Sequence, residues 1–134
     1  MPRCAPRPPG AGCSLRTEAT LAFAGSEVAE VTAADDRLRV RFAAARVAGG
    51  WLQAIELDLS GATWTGAPAD CLGRVAEGRA QVDGRERGLA IPSELAGDVA
   101  LELHFANGAT LVARGRALAL APRGELRFVE DFSC

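Results

Sequence analysis

Lysine and tyrosine are missing from this chain, and histidine and methionine occur once each, as His104 and Met1. Without lysine there is no Schiff-base nucleophile and no phosphate-binding P-loop, whose motif needs that amine. A single histidine excludes any site built on paired imidazoles. Aromatic residues are only 5% of the sequence, so five Phe and two Trp are the large pieces of any core. The rest of the interior must be Val, Leu, Ile and Ala. No stretch approaches the ~18 consecutive apolar residues of a membrane-spanning helix, and no membrane association is expected.

Charge of one sign is also lacking. Fifteen basic residues, all Arg, face 17 acidic ones, a net charge of −2. A dedicated nucleic-acid binder carries a basic face and a high isoelectric point, so nucleic acid is not an expected partner. The Ala, Arg and Gly richness fits a GC-rich bacterial genome.

Cysteine is sparse and scattered. Cys4, Cys13, Cys71 and Cys134 form no C-x-x-C pair and no Cys-His cluster. They read as free thiols in a reducing cytoplasm, and no zinc site or other cofactor is expected. Cys13 follows Gly10-Ala11-Gly12, which resembles a lipoprotein cleavage box. The residues before it include Arg3, Arg7 and four prolines instead of the apolar run such a signal requires. Residues 1–16 read as a disordered tail or an overlong gene start, and residues 17–134 as one domain. A domain of this size can bury about two-thirds of its unfolded surface and needs no staple.

What is present is alternation with period two, the strand period. In RLRVRF, Leu38, Val40 and Phe42 alternate with Arg37, Arg39 and Arg41. In IELDLS, Ile55, Leu57 and Leu59 alternate with Glu56, Asp58 and Ser60. In DVALELHF, Val99, Leu101, Leu103 and Phe105 alternate with Ala100, Glu102 and His104. The best helical stripe, DCLGRVAEGRAQ, is interrupted by Gly73 and Gly78, which disfavour a helix. Asp35-Asp36, Gly49-Gly50, Ser60-Gly61, Gly66-Ala67-Pro68, Asp83-Gly84, Asn107-Gly108 and Arg123-Gly124 punctuate the strands. The expected fold is all-β: one antiparallel sandwich or small barrel of about eight to ten short strands, largely a meander.

Two local registers follow. Arg39 and Arg41 belong opposite Glu56 and Asp58, since unlike charges on neighbouring strands favour pairing. Around Asn107-Gly108, a three-residue loop with Gly108 as the left-handed bulge residue pairs Phe105 with Ala109, Leu103 with Leu111 and Leu101 with Ala113. That register keeps every inward partner apolar or small and turns His104 outward. The parity must change again near Ala117–Leu118.

Candidates for chemistry are few. His104 beside Glu102 is the one nameable acid-base pair, although neighbours on a wet strand face commonly pair this way. None of Ser14, Ser26, Ser60, Ser93 and Ser133 sits in a nucleophile elbow. Cys71 beside Arg74 could be a reactive thiolate, but a small buried cysteine closing a loop is the simpler reading. Glu56 with Asp58, and Glu130 with its neighbours in FVEDFSC, are paired acids without the aromatic platforms of a glycosidase. The glycines of GRVAEGRAQVDGRERG lack the strand-then-helix context of a dinucleotide loop. Trp51 and Trp64 flank IELDLS as interaction anchors or, on packing grounds first, as plugs at the two ends of the core.

The expected function is therefore a non-enzymatic binding or accessory protein that meets a protein partner, or a second copy, through a sheet face or edge. The alternative is a small-molecule-binding barrel with an internal apolar cavity, which inward Ala109, Ala113, Gly115 and Ala117 could leave open. The third reading is a hydrolase using His104 and Glu102.

Overall fold

Alternation turns into strand almost throughout a computed structural model that describes residues 19–130, with side chains as far as Arg123. The tail expected over residues 1–16 lies outside the described residues, as do Cys4, Cys13, Cys134 and the side chain of Glu130. Nine strands are described: β1 (Ala19–Ala34), β2 (Arg37–Val47), β3 (Gly50–Ser60), β4 (Thr63–Thr65), β5 (Gly73–Val82), β6 (Arg85–Glu86), β7 (Leu89–Ile91), β8 (Ser93–Phe105) and β9 (Thr110–Glu130). A 3-10 turn at Pro68–Asp70 is the one helical element among them. The interrupted stripe from Gly73 onward is strand, as its glycines suggested.

Two three-stranded meanders, β1-β2-β3 and β9-β8-β5, join side by side. β3 pairs with β9, and β1 pairs with β5 at Glu27↔Arg74 and Val28↔Gly73. Six antiparallel strands thereby close into a barrel, with β4, β6 and β7 added on β9, β5 and β1. The meander holds within each half only. The segment linking β3 to β5 crosses between the halves, carrying β4 and the 3-10 turn. It brings in buried Ala62 and Cys71, and half-buried Trp64 packs against the core. The Ala62 N–H donates to the Asp36 carbonyl at 2.7 Å, and the Asn107 amide donates to the Asp70 carbonyl at 3.0 Å. The Asn-Gly tip is thus tied to the crossover as well as forming its own turn.

Strands in a small barrel must bend, and this one bends by switching parity on neighbouring strands together. On β2 the inward residues run Phe42 then Ala45, and on β3 they run Ile55 then Leu52. The two strands stay in register across this switch, pairing Phe42↔Ile55 and Ala45↔Leu52. A second switch lies between Leu59 and Ala62 on one side and between Leu118 and Gly115 on the other. It falls where the sequence required a parity change before Leu118. Corners of this kind let one strand pack on two parts of a closed sheet.

Large apolar side chains line the interior. Leu38, Phe42, Ile55, Leu57, Leu59, Leu101, Leu103 and Leu111 are fully buried. Of the small residues expected inward, Ala113 is buried, Ala109 and Ala117 are half-buried, and Gly115 serves close packing. A Cβ on Gly115 would stand 2.7 Å from both the Leu59 Cγ and the Ser60 carbonyl oxygen. The room imagined beside Gly115 is occupied by Leu59.

Both local registers are found. Arg39 pairs with Asp58 and Arg41 with Glu56, and the Arg39 Nε donates to the Asp58 Oδ1 at 2.8 Å. Leu101 pairs with Ala113 and Leu103 with Leu111, while the Phe105 N–H donates to the Ala109 carbonyl at 2.9 Å. Gly108 sits at φ +94°, the left-handed conformation the bulge requires. Arg123-Gly124 differs from expectation. It does not end a strand; it lies in a register break inside β9, between Pro122 (opposite Ile55) and Arg127 (opposite Gln53). With breaks absorbed in this way, β9 reaches 21 residues and β1 reaches 16.

Candidate functional site

His104 projects from the outer face of β8, with its side chain 39% exposed. Its Nε2–H donates to the Glu102 Oε2 at 2.6 Å, and its Nδ1 lies 3.5 Å from the Thr110 hydroxyl on β9. The other Glu102 oxygen, Oε1, accepts from the Arg79 Nη2 on β5 at 3.1 Å. A polar row Thr110–His104–Glu102–Arg79 therefore runs across three strands. It borders a depression of about 310 Å³ that Glu77, Gly78 and Glu86 also line. Thr110 is not among the residues that the sequence pattern singles out. The cross-strand pairing His104↔Thr110 is the signal that could have found it.

The row sets the charge of its carboxylate. The hydrogen bond from His104, and then that from Arg79, hold Glu102 below the ordinary carboxylate range. A carboxylate whose folded pKa is depressed adds stability above its unfolded value and loses it as pH falls through the folded one. The contribution of the Glu102 carboxylate is therefore present above the ordinary glutamate range and is lost as pH falls through its lower folded value. In an NMR pH titration, Glu102 should show a midpoint below that of a free glutamate. His104→Ala should raise that midpoint toward the free value, and an unmoved midpoint would contradict the row.

The other candidates have structural partners. Cys71 is buried, and its thiol donates to the Ala67 carbonyl at 3.3 Å. Burial, and then the Asp70 charge, push its pKa up, opposite to the direction a reactive thiolate needs. Glu56 and Asp58 face Arg39, and the Arg123 Nε lies 3.4 Å from the Glu56 Oε2. Among the described residues no three His, Cys, Asp or Glu side chains converge as metal ligands, and no helix is long and apolar enough to cross a membrane.

The two tryptophans part company. Trp64 packs against the core at the crossover, as a plug should. Trp51 does not plug the other end. A bulge at Ala54, which sits at φ +58°, reverses the parity set by Ile55, Leu57 and Leu59. Leu52 therefore points inward and Trp51 outward. Across the ladder Trp51 faces Arg46, whose guanidinium lies 4.4 Å from the centre of the indole. The indole N–H also points to the Gly25 carbonyl at 3.4 Å.

That pair forms one wall of a recess of about 490 Å³ lined by Gly25, Glu27, Ala44, Arg46, Trp51, Gln53 and Arg74. The recess exists because β1 bulges between Ala22 and Glu27, three residues longer than the facing stretch of β2 from Arg46 to Ala44. Ser26 repairs the interrupted ladder. Its buried hydroxyl donates to the Ala22 carbonyl at 2.7 Å and accepts from the Arg46 N–H at 2.8 Å. The wide bulge is thereby a fixed feature. Glu27 stands in the ladder between Arg74 on β5 and Ala44 on β2, so the recess lies on the seam that closes the barrel. Comparison with protein-family models, with curated proteins and with solved structures finds no match for this chain.

Proposed function

We propose that this barrel is a non-enzymatic binding protein that receives a protein partner at the Trp51 recess and along the adjoining edge of β5. The observation that carries the reading is the outward Trp51, held by Arg46 beside a recess braced by Ser26. The indole is half-buried on the outer face, apart from the core cluster, and Trp and Arg are the side chains that most often dominate protein contacts. The edge adds a second element. From Val75 to Arg79, β5 has β8 on one side and, among the described residues, no ladder partner on the other. Phe23 of β1 packs against Gly78 within this stretch, so an extended segment would pair with the residues flanking it.

The test compares proteins retained from the native host by the wild-type chain with those retained by Trp51→Ala. A specific protein held by the first and lost at least about tenfold by the second supports the reading. The unfolding midpoint should barely move, because Trp51 lies outside the core. Equal retention by both chains would sink it. Concentration-dependent sedimentation of the purified chain, abolished by Trp51→Ala, would identify the partner as a second copy.

A further inference from the structure

We propose that the recess takes a carboxylate group borne on an apolar body, with Arg74 as the seat of the charge. This rests on the reading of the recess as the contact site and names the chemistry it selects. The lining divides into two parts. Gly25, Ala44 and the indole of Trp51 offer small and apolar surface, while Gln53, Glu27 and two guanidiniums supply polarity. The guanidiniums are not equivalent. Arg46 lies on the Trp51 ring, 4.4 Å from its centre, and is held there as part of the wall. Among the described residues Arg74 makes no ion pair or side-chain hydrogen bond, although Glu27 is directly opposite it in the ladder.

A guanidinium beside apolar surface has a definite complement. Its planar fork matches a carboxylate with two parallel charge-assisted bonds, about twice as strong as neutral ones. The ring and the small floor suit an apolar body behind that group. A neutral amide would keep the apolar contact and forfeit the charge. The same carboxylate chemistry can come from a chain terminus or from an Asp or Glu side chain of the partner.

Three probes separate these cases on the full chain carrying Trp64→Phe, so that emission reports Trp51 alone. N-acetyl-phenylalanine presents a terminal carboxylate, the α-amide of N-acetyl-phenylalanyl-glutamic acid a side-chain one, and N-acetyl-phenylalanine amide neither. At least one carboxylate probe should perturb Trp51 emission about tenfold more tightly than the neutral amide, the gain of one charge-assisted contact. Whichever carboxylate probe wins identifies the source. Arg74→Gln, at an exposed position, should erase that preference while leaving the unfolding midpoint and the weaker amide response in place. Equal binding of acid and amide, an undiminished preference in Arg74→Gln, or silence from every probe would overturn the assignment. A native partner lost by Trp51→Ala yet fully retained by Arg74→Gln would keep the contact site and remove the carboxylate.

Discussion

Truncating Leu103 to alanine should lower the stability of the barrel by about 2–5 kcal/mol, whereas truncating His104, one residue on, should cost no more than about 1 kcal/mol. Leu103 is fully buried opposite Leu111, while His104 stands on the wet face. The Leu103 loss combines transfer of the side chain to water with a cavity that a tightly packed interior closes only in part. Against a typical domain stability of about 5–15 kcal/mol it is a large fraction. Urea unfolding followed by circular dichroism measures both variants. Equal costs at the two positions would mean that the Asn-Gly hairpin is slipped by one residue, because a slip exchanges the faces.

Gly115→Val should cost about 3 kcal/mol, at the upper end of ordinary overpacking. Valine is a favoured strand residue, so an exposed or loosely covered position in a sheet would welcome it. Here the first added carbon would already lie 2.7 Å from Leu59 and from the Ser60 backbone oxygen. Rotation of Leu59 relieves one contact and leaves the other. For the same reason, Leu59→Ala in the same chain should not rescue Gly115→Val fully. A neutral Gly115→Val would show that β3 and β9 do not meet closely at this corner.

Several of these features are legible in the sequence. The alternation in RLRVRF and IELDLS, with opposite charges on the two outer faces, leads directly to the Arg39–Asp58 pair. The inward set Leu101, Leu103 and Phe105, with Gly108 after Asn107, leads to a bulged hairpin and an outward His104. These rest on local rules, namely side-chain parity and turn chemistry. The closure of β1 on β5 does not. Its paired residues, Glu27 with Arg74 and Val28 with Gly73, lie far apart in the chain and have no distinctive local pattern. Trp51 escapes for a related reason. Counting back by twos from Ile55 places it inside, and only the bulge at Ala54, an alanine at positive φ, turns it out. Alanine carries no signal for that conformation. Ser26 reads as an ordinary serine until the β1 bulge leaves a carbonyl and an N–H for its hydroxyl to join. The crossover likewise hides its role, since Asn107 is chosen by its own turn and also donates to the Asp70 carbonyl.

Closure at the seam is the condition on which the recess, and with it the binding reading, depends. Interstrand NOEs in the backbone of the full-length chain test it most directly. A closed barrel gives cross-peaks linking Glu27 with Arg74 and Val28 with Gly73, together with those linking Val31 with Val40 and Leu103 with Leu111. If the last two pairs appear while the seam pairs are absent, the sheet is open between β1 and β5. Trp51, Arg46 and Arg74 would then not share a site.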